Sequence, residues 1–230
     1  MAIKDNLEHI RSRIAAACAR SGRDPDSVRL VAVSKTKPAA MIDEAAAAGQ
    51  SVFGESYVQD FLGKVEDVRS RAEWHFIGAL QSNKVKYLRG KVALIHSVDR
   101  LSLAREIDRQ WGKIGRTADI LLEVNLGGEE TKAGTAEEEL KDLVRQVAEL
   151  PNVRVRGLMT LPPYLDDPEE VRPYFRRLRE LADGIGKLGI SGVEMEELSM
   201  GMSHDFEVAV EEGATLVRVG TAIFGERERK

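Results

Sequence analysis

A short apolar run followed by a helical stripe recurs from one end of this chain to the other, and that alternation limits the fold more than any other feature. The runs fall at 28–34, 51–54, 74–77, 92–96, 120–126, 153–159, 193–198 and 216–219, and the β-branched residues in most of them favour strands. Between them the spacing changes from two to three or four. Tyr57, Val58, Phe61, Leu62 and Val65 form one stripe, Leu101, Ala104, Ile107 and Trp111 another, and Leu140, Leu143, Val144 and Val147 a third. Residues 3–20 add a helix in front, with Ile3, Leu7, Ile10, Ile14 and Cys18 on one face. Local signals agree with these boundaries: Pro38 opens an alanine-rich helix that stops at Gly49, and Thr135-Ala-Glu-Glu138 reads as a capping box.

Regular strand–helix alternation implies a parallel sheet covered by helices. Eight strands, seven followed by a clear helix, within 230 residues point to a (β/α)8 TIM barrel with an extra N-terminal helix, an α/β single domain spanning 1–230. An open doubly wound sheet is the rival, but no Gly-x-Gly-x-x-Gly follows the first strand. A net charge of −4 gives no electrostatic case for a nucleic acid or anionic membrane partner. The single Cys18 suits a reducing compartment, and no apolar leader or membrane-length run is evident, so a cytoplasmic location is expected.

Barrels of this kind carry their active groups at the C-terminal ends of the strands and often bind phosphate after strands seven and eight. Lys35 stands at the end of the first strand, in step with Val31 and Val33. It is either a lysine leaving the strand into solvent or an amine at the mouth of the barrel. The turns Ser199-Met-Gly-Met-Ser203 and Gly220-Thr-Ala-Ile-Phe-Gly225 follow strands seven and eight. Their small residues let backbone N–H groups approach an anion, Ser199 and Thr221 add hydroxyls, and Ser203 is placed to cap the next helix. A closed barrel sets strand eight beside strand one, bringing the amine and both turns to neighbouring sectors of one rim. That pairing suggests a phosphorylated carbonyl compound held as a Schiff base. Arg218 faces inward with Leu216 and needs an acceptor, either an ion pair with Glu194, Glu196 or Glu123 or a ring nitrogen of a cofactor.

Five segments together resemble the pyridoxal 5′-phosphate homeostasis proteins: Val31-Ala-Val-Ser-Lys-Thr-Lys-Pro38, Phe53-Gly-Glu-Ser-Tyr-Val-Gln59, Trp74-His-Phe-Ile-Gly-Ala-Leu-Gln-Ser-Asn-Lys84, Leu198-Ser-Met-Gly-Met-Ser-His-Asp205 and Arg218-Val-Gly-Thr-Ala-Ile-Phe-Gly225. That family looks like the barrel half of alanine racemase standing alone. The resemblance implies pyridoxal 5′-phosphate (PLP) as cofactor, with Lys35 as its Schiff-base lysine. It implies that Ser199, Met200, Gly201, Gly220 and Thr221 hold the phosphate and that Arg218 faces the pyridine nitrogen. An arginine there favours an unprotonated ring and a weaker electron sink. Ser56 stands where the family usually has Asn, so no ligand role is carried onto it.

A racemase needs acid–base groups on both faces of the cofactor, and the second group of alanine racemase comes from an added β-domain that is not expected here. His75, His204, Tyr57 and Tyr164 are the candidates within the chain; His75 is better read as a core histidine and the tyrosines as pocket walls. The expectation is a monomeric carrier that stores PLP and delivers it to apo PLP-dependent enzymes; an amino-acid racemase and a Schiff-base aldolase are the alternatives. Lys37 is either a solvated residue or a like charge that lowers the pKa of Lys35. Lys132 is a surface lysine or the anchor of a second PLP.

Overall fold

Side chains alternate across a strand, and in this chain the alternation sorts the sheet into an inner and an outer face. The computed structural model describes residues 2–128 and 133–226; Lys132 and the Glu129-Glu130 pair fall outside them. The strands are β1 (Arg29–Val33), β2 (Val52–Glu55), β3 (Glu73–Phe76), β4 (Leu94–Val98), β5 (Ala118–Glu123), β6 (Val153–Met159), β7 (Val193–Ser199) and β8 (Leu216–Val219). All pair in parallel, each with its sequence neighbours, and β8 pairs with β1 to close the barrel. Expectation and structure agree on the (β/α)8 architecture, the short β2 included.

Val31, Val52, Leu94, Leu121, Met159 and Leu216 pack together inside the barrel. Their neighbours Leu30, Ala32, Phe53, Ile95, Ile120, Leu122 and Val217 point outward, into the larger core beneath the helices. That outer core is completed by α1 (Ile3–Arg20), α2 (Ala39–Ala47), α3 (Val58–Lys64), α4 (Val85–Leu88), α5 (Leu101–Gly112), α6 (Glu137–Ala148), α7 (Arg172–Gly186), α8 (Phe206–Glu211) and α9 (Thr221–Phe224). Because α9 has only four residues, α1 covers the seam, packing on α2, α8 and α9. Asn6 fastens it by donating to the Ile223 carbonyl (2.9 Å), and Arg13 pairs with Glu207 (2.8 Å). No helix among the described residues is long and apolar enough to cross a membrane.

One cap lies elsewhere than its sequence suggests. Thr135 exchanges backbone hydrogen bonds with Glu123 and Asn125 and makes a bridge to Val124, so the sheet claims it; Ala136 precedes α6 without a side-chain cap. Strand β6 carries a register shift against both neighbours around Gly157. A Cβ there would lie 1.8 Å from the Glu197 carbonyl oxygen, so the close approach of β6 to β7 depends on glycine. Gly157→Ala is therefore expected to cost roughly 3 kcal/mol and lower Tm by roughly 10 °C, read by denaturant and thermal unfolding.

Candidate functional site

A cavity of about 580 Å³ opens at the C-terminal mouth of the barrel, and Lys35 lines it together with Ser56, Glu123, Arg218, Gly220 and Thr221. Lys35 reaches it by the shape of the turn after β1. Ser34 still donates its N–H to Gly54 (3.0 Å), and the Lys37 N–H closes a four-residue turn on the Ser34 carbonyl (3.0 Å). Thr36 sits at φ +63°, a left-handed conformation that costs a β-branched residue about 1–3 kcal/mol and persists only when its surroundings dictate it.

The surroundings are a buried ionic cluster between the sheet and α3. The Asp60 carboxylate accepts the Thr36 N–H (2.7 Å), and Lys64 donates to the Ser34 carbonyl (2.9 Å), to Glu55 (3.0 Å) and to Asp60 (3.0 Å). Ser34 donates its hydroxyl to the same Glu55 oxygen (2.6 Å). Burial raises the pKa of Glu55, with Ser34 and Lys64 opposing the shift. The cluster therefore grips the turn on both sides of Lys35 and fixes the direction from which its amine enters the cavity. The Lys37 ammonium donates to the carbonyls of Phe224 (3.0 Å) and Glu226 (2.8 Å), tying the turn to the end of α9.

The opposite wall comes from β7 and β8. Gly220 passes so close to β1 that a Cβ would lie 3.2 Å from Val33, and Thr221 begins α9, whose first N–H groups have no acceptor within the helix. After β7 the lining residues are Met202 and Ser203, beyond Gly201 at φ +87°. A Cβ on Gly201 would lie 2.5 Å from that of Ala209, so the turn can fold onto α8 only through glycine.

Lys35, Arg218, Gly220 and Thr221 thus share one cavity, whereas Ser199, Met200 and Gly201 stand behind it. The physical reason is the length of β7, which runs to Ser199. Its hydroxyl is already engaged by His96 and Arg218 inside the barrel, Met200 is buried with its N–H on the Leu216 carbonyl, and the Gly201 carbonyl accepts the Arg218 N–H. Nor does Ser203 cap α8. Asp205 occupies that position, and its carboxylate accepts the Met202 N–H (2.6 Å).

Arg218 is buried and donates to Ser199 and to the Thr160 carbonyl (3.0 Å). Glu194 and Glu196 are not its partners, since both pair with Arg156 (2.6 and 2.5 Å). Desolvation pulls the Arg218 pKa down to about 10, against the attraction of Glu123 and Asp205, so it keeps its charge at neutral pH. Glu123 closes this wall. Burial, reinforced by Asp99 and opposed by Arg218, lifts its carboxyl from the ordinary 4.5 to about 7. Glu123 enters the sequence argument only as an ion-pair partner, although its alternation with Leu121 at the end of β5 aims it inward.

His75 is buried, as its core reading required, and His204 is exposed, with its Nε2 3.1 Å from the Asp166 carbonyl. Tyr57 and Tyr164 line the outer rim, 52% and 73% exposed. Gly78 packs under the rim: a Cβ there would lie 2.2 Å from the Ser56 carbonyl oxygen.

Residues 3–228 match the family described as alanine racemase, N-terminal domain. The pyridoxal phosphate homeostasis protein of Aquifex aeolicus is 54% identical over 97% of this chain and 98% of its own length; that of Pseudomonas aeruginosa is 44% identical over 98% and 96%. This chain belongs to the pyridoxal phosphate homeostasis protein family. Among solved structures, PipY of Synechococcus elongatus with PLP bound superposes with a TM-score of 0.85 at 38% identity, covering 97% of this chain and all of that one.

Within this family member, two consequences can be measured. Lys64→Met leaves Glu55 buried without its cation and is expected to destabilise by about 3–5 kcal/mol at pH 8. The loss shrinks at pH 5, where the carboxyl can take a proton; denaturant titration at both pH values reads the difference. Glu123 has the opposite sign from a paired carboxylate. Its folded pKa lies above its unfolded one, so the folded state holds more protons between about 4.5 and 7 and stability falls as pH rises through that window. Glu123→Gln should therefore be more stable than the native chain above pH 7, by about 3 kcal/mol at most, with the gap closing towards pH 4.5.

Proposed function

We propose that this chain binds PLP reversibly at the C-terminal mouth of the barrel and serves as a carrier in vitamin B6 homeostasis. One observation supports this above the rest: a single cavity gathers the Lys35 amine, the turns after β7 and β8, and the Arg218 guanidinium. The donor set suits the cofactor. Close approach at Gly220 and the unsatisfied N–H groups at the start of α9 suit a phosphate, as does the turn at Met202 and Ser203. Arg218, held charged, would donate towards the pyridine nitrogen, and Lys35 would supply the amine. When bound, PLP contributes an aldehyde able to condense with that amine. Gly201 would serve the cradle by setting the turn, with Ser199 and Met200 fixing the strand behind it.

A carrier is favoured over a racemase by the placement of the acid–base groups. Racemisation needs one group on each face of the cofactor, held at hydrogen-bond range. The tyrosines nearest the mouth are half exposed or more, and the buried histidines are bonded to one another below it. On this reading the cytoplasmic chain protects other amines from a reactive aldehyde and passes it to apo PLP-dependent enzymes.

The protein as purified, or after incubation with PLP, should show visible absorption, and borohydride reduction should fix the pyridoxyl group on Lys35 by peptide mapping. Lys35→Ala should abolish the reduced adduct. A chain that cannot be loaded, or an adduct at another lysine, overturns the assignment. Exchange of the α-proton of an amino acid with solvent deuterium would establish the racemase reading instead.

A further inference from the structure

Four polar side chains and a terminal carboxylate form an unbroken line through the barrel. Glu73 Oε1 lies 2.9 Å from His75 Nε2, His75 Nδ1 lies 2.9 Å from His96 Nε2, and His96 Nδ1 lies 2.8 Å from Ser199 Oγ, which also accepts from Arg218. His75, His96, Ser199 and Arg218 are all buried, while the Glu73 side chain is 44% exposed at the N-terminal mouth. Rows of buried polar groups in a barrel otherwise filled by Val31, Leu94, Leu121 and Leu216 carry a desolvation cost unless every member is satisfied.

Only one arrangement of protons satisfies this row with neutral imidazoles and an ionised Glu73. An ionised Glu73 can only accept, which fixes the His75 proton on Nε2 and leaves Nδ1 of each imidazole as an acceptor, so Ser199, which accepts from Arg218, gives its single proton to His96 Nδ1. His96 then carries its proton on Nε2 and gives it to His75 Nδ1. His75 in turn carries its proton on Nε2 and gives it to Glu73. Reversing the histidines would set an acceptor nitrogen of His75 against the Glu73 carboxylate and leave the Ser199 hydroxyl proton without that acceptor. Burial lowers the pKa of both imidazoles, that of His96 well below the usual range, in keeping with neutral rings.

We propose that His75, His96 and Ser199 are positioning residues that orient Arg218 through a one-way hydrogen-bond relay, so that the N-terminal mouth of the barrel controls how the guanidinium meets its ligand. This inference rests on the PLP reading for the identity of that ligand, though the relay itself does not. Replacing the Glu73 carboxylate by an apolar group removes the acceptor that fixes the direction, allowing both tautomers to reverse and presenting Ser199 with a second donor beside Arg218. The charges facing the relay come from every side. Arg29 of β1 pairs with Glu73 (3.3 Å) and with Glu197 of β7 (2.7 Å), and Asp119 of β5 and Arg156 of β6 line the same small cavity as His75. At the upper end, Glu123 and Asp205 attract Arg218.

The test uses the full-length chain with 15N-labelled histidine, first unloaded and then titrated with PLP. Near neutral pH both His75 and His96 should carry their proton on Nε2 and leave Nδ1 bare. Glu73→Leu removes the terminal acceptor at a half-exposed position. It should give His96 a mixed tautomer signal, shift the absorption of the bound cofactor and weaken PLP binding about tenfold, the size of one charge-assisted hydrogen bond. Glu73→Gln keeps a carbonyl acceptor for His75 and should restore all three readouts. A merely structural role would change the unfolding midpoint of the leucine variant without moving the His96 tautomer. Protonation of His96 on Nδ1 in the native chain, or an unchanged tautomer in Glu73→Leu, overturns the relay while leaving the carrier reading intact. The stated tautomers in a chain that binds no PLP would overturn the carrier reading, and with it the proposed role towards that cofactor.

Discussion

Pairing of β8 with β1 is the constraint on which the site depends. In an open sheet, Lys35 and Arg218 would stand on opposite edges; in the closed barrel, Val31 and Arg218 are register partners and Gly220 rests on Val33. Closure is non-local and must offset the entropy of joining the two ends of a long chain. The apolar belt inside and the helix α1 outside supply that stabilisation. Helix α1 is thus more than an addition, because the four residues of α9 cannot shield the seam alone.

The interior is not a uniform hydrocarbon core. Its N-terminal mouth is plugged by the Arg29, Glu73 and Glu197 ion pairs, and its C-terminal mouth holds Arg218 and Glu123. Carrying Arg218 into the barrel costs solvation, visible in its lowered pKa, and the raised pKa of Glu123 is the same cost on the carboxylate side. Both shifts have desolvation as their largest cause, and both residues line the cavity. A polar ligand that accepts from Arg218 would offset part of that desolvation, as the proposed binding of PLP requires.

Much of the architecture is legible in one sequence because it rests on local periodicity. The runs of β-branched residues, the helical stripes between them and the parity of Lys35 with Val31 and Val33 need no knowledge of the far side of the molecule. Arg218 is legible for the same reason. What escapes is whatever depends on a partner distant in the chain. Thr135 has the right residues for a cap, but the end of β5 captures it first. Ser199 has the right hydroxyl for an anion, but β7 extends far enough to carry it into the barrel, three residues before Met202, where the lining begins on this side. The contact of His75 with His96 depends on the inter-strand alignment of β3 and β4, which no pattern within either strand encodes. The clamp formed by Glu55, Asp60 and Lys64 likewise joins a strand to the helix after it through side chains whose types look like ordinary surface charges.

Division of labour between the two halves of the wall follows from these attachments. The β1 side is rigid: a left-handed Thr36 is gripped by Asp60 and the turn is anchored to α9 through Lys37, so the amine has a fixed approach. The rim above it is not enclosed, since Tyr57, Leu161, Tyr164 and Met202 all remain substantially exposed around the opening. Catalysis on a bound cofactor gains from excluding water and surrounding the reacting atoms on both faces. A site that fixes one amine and one cation at its floor while leaving its upper face open gives up those gains but keeps a short path for entry and exit. That combination suits the proposed capture and release, and it arises from strand ends and tight turns.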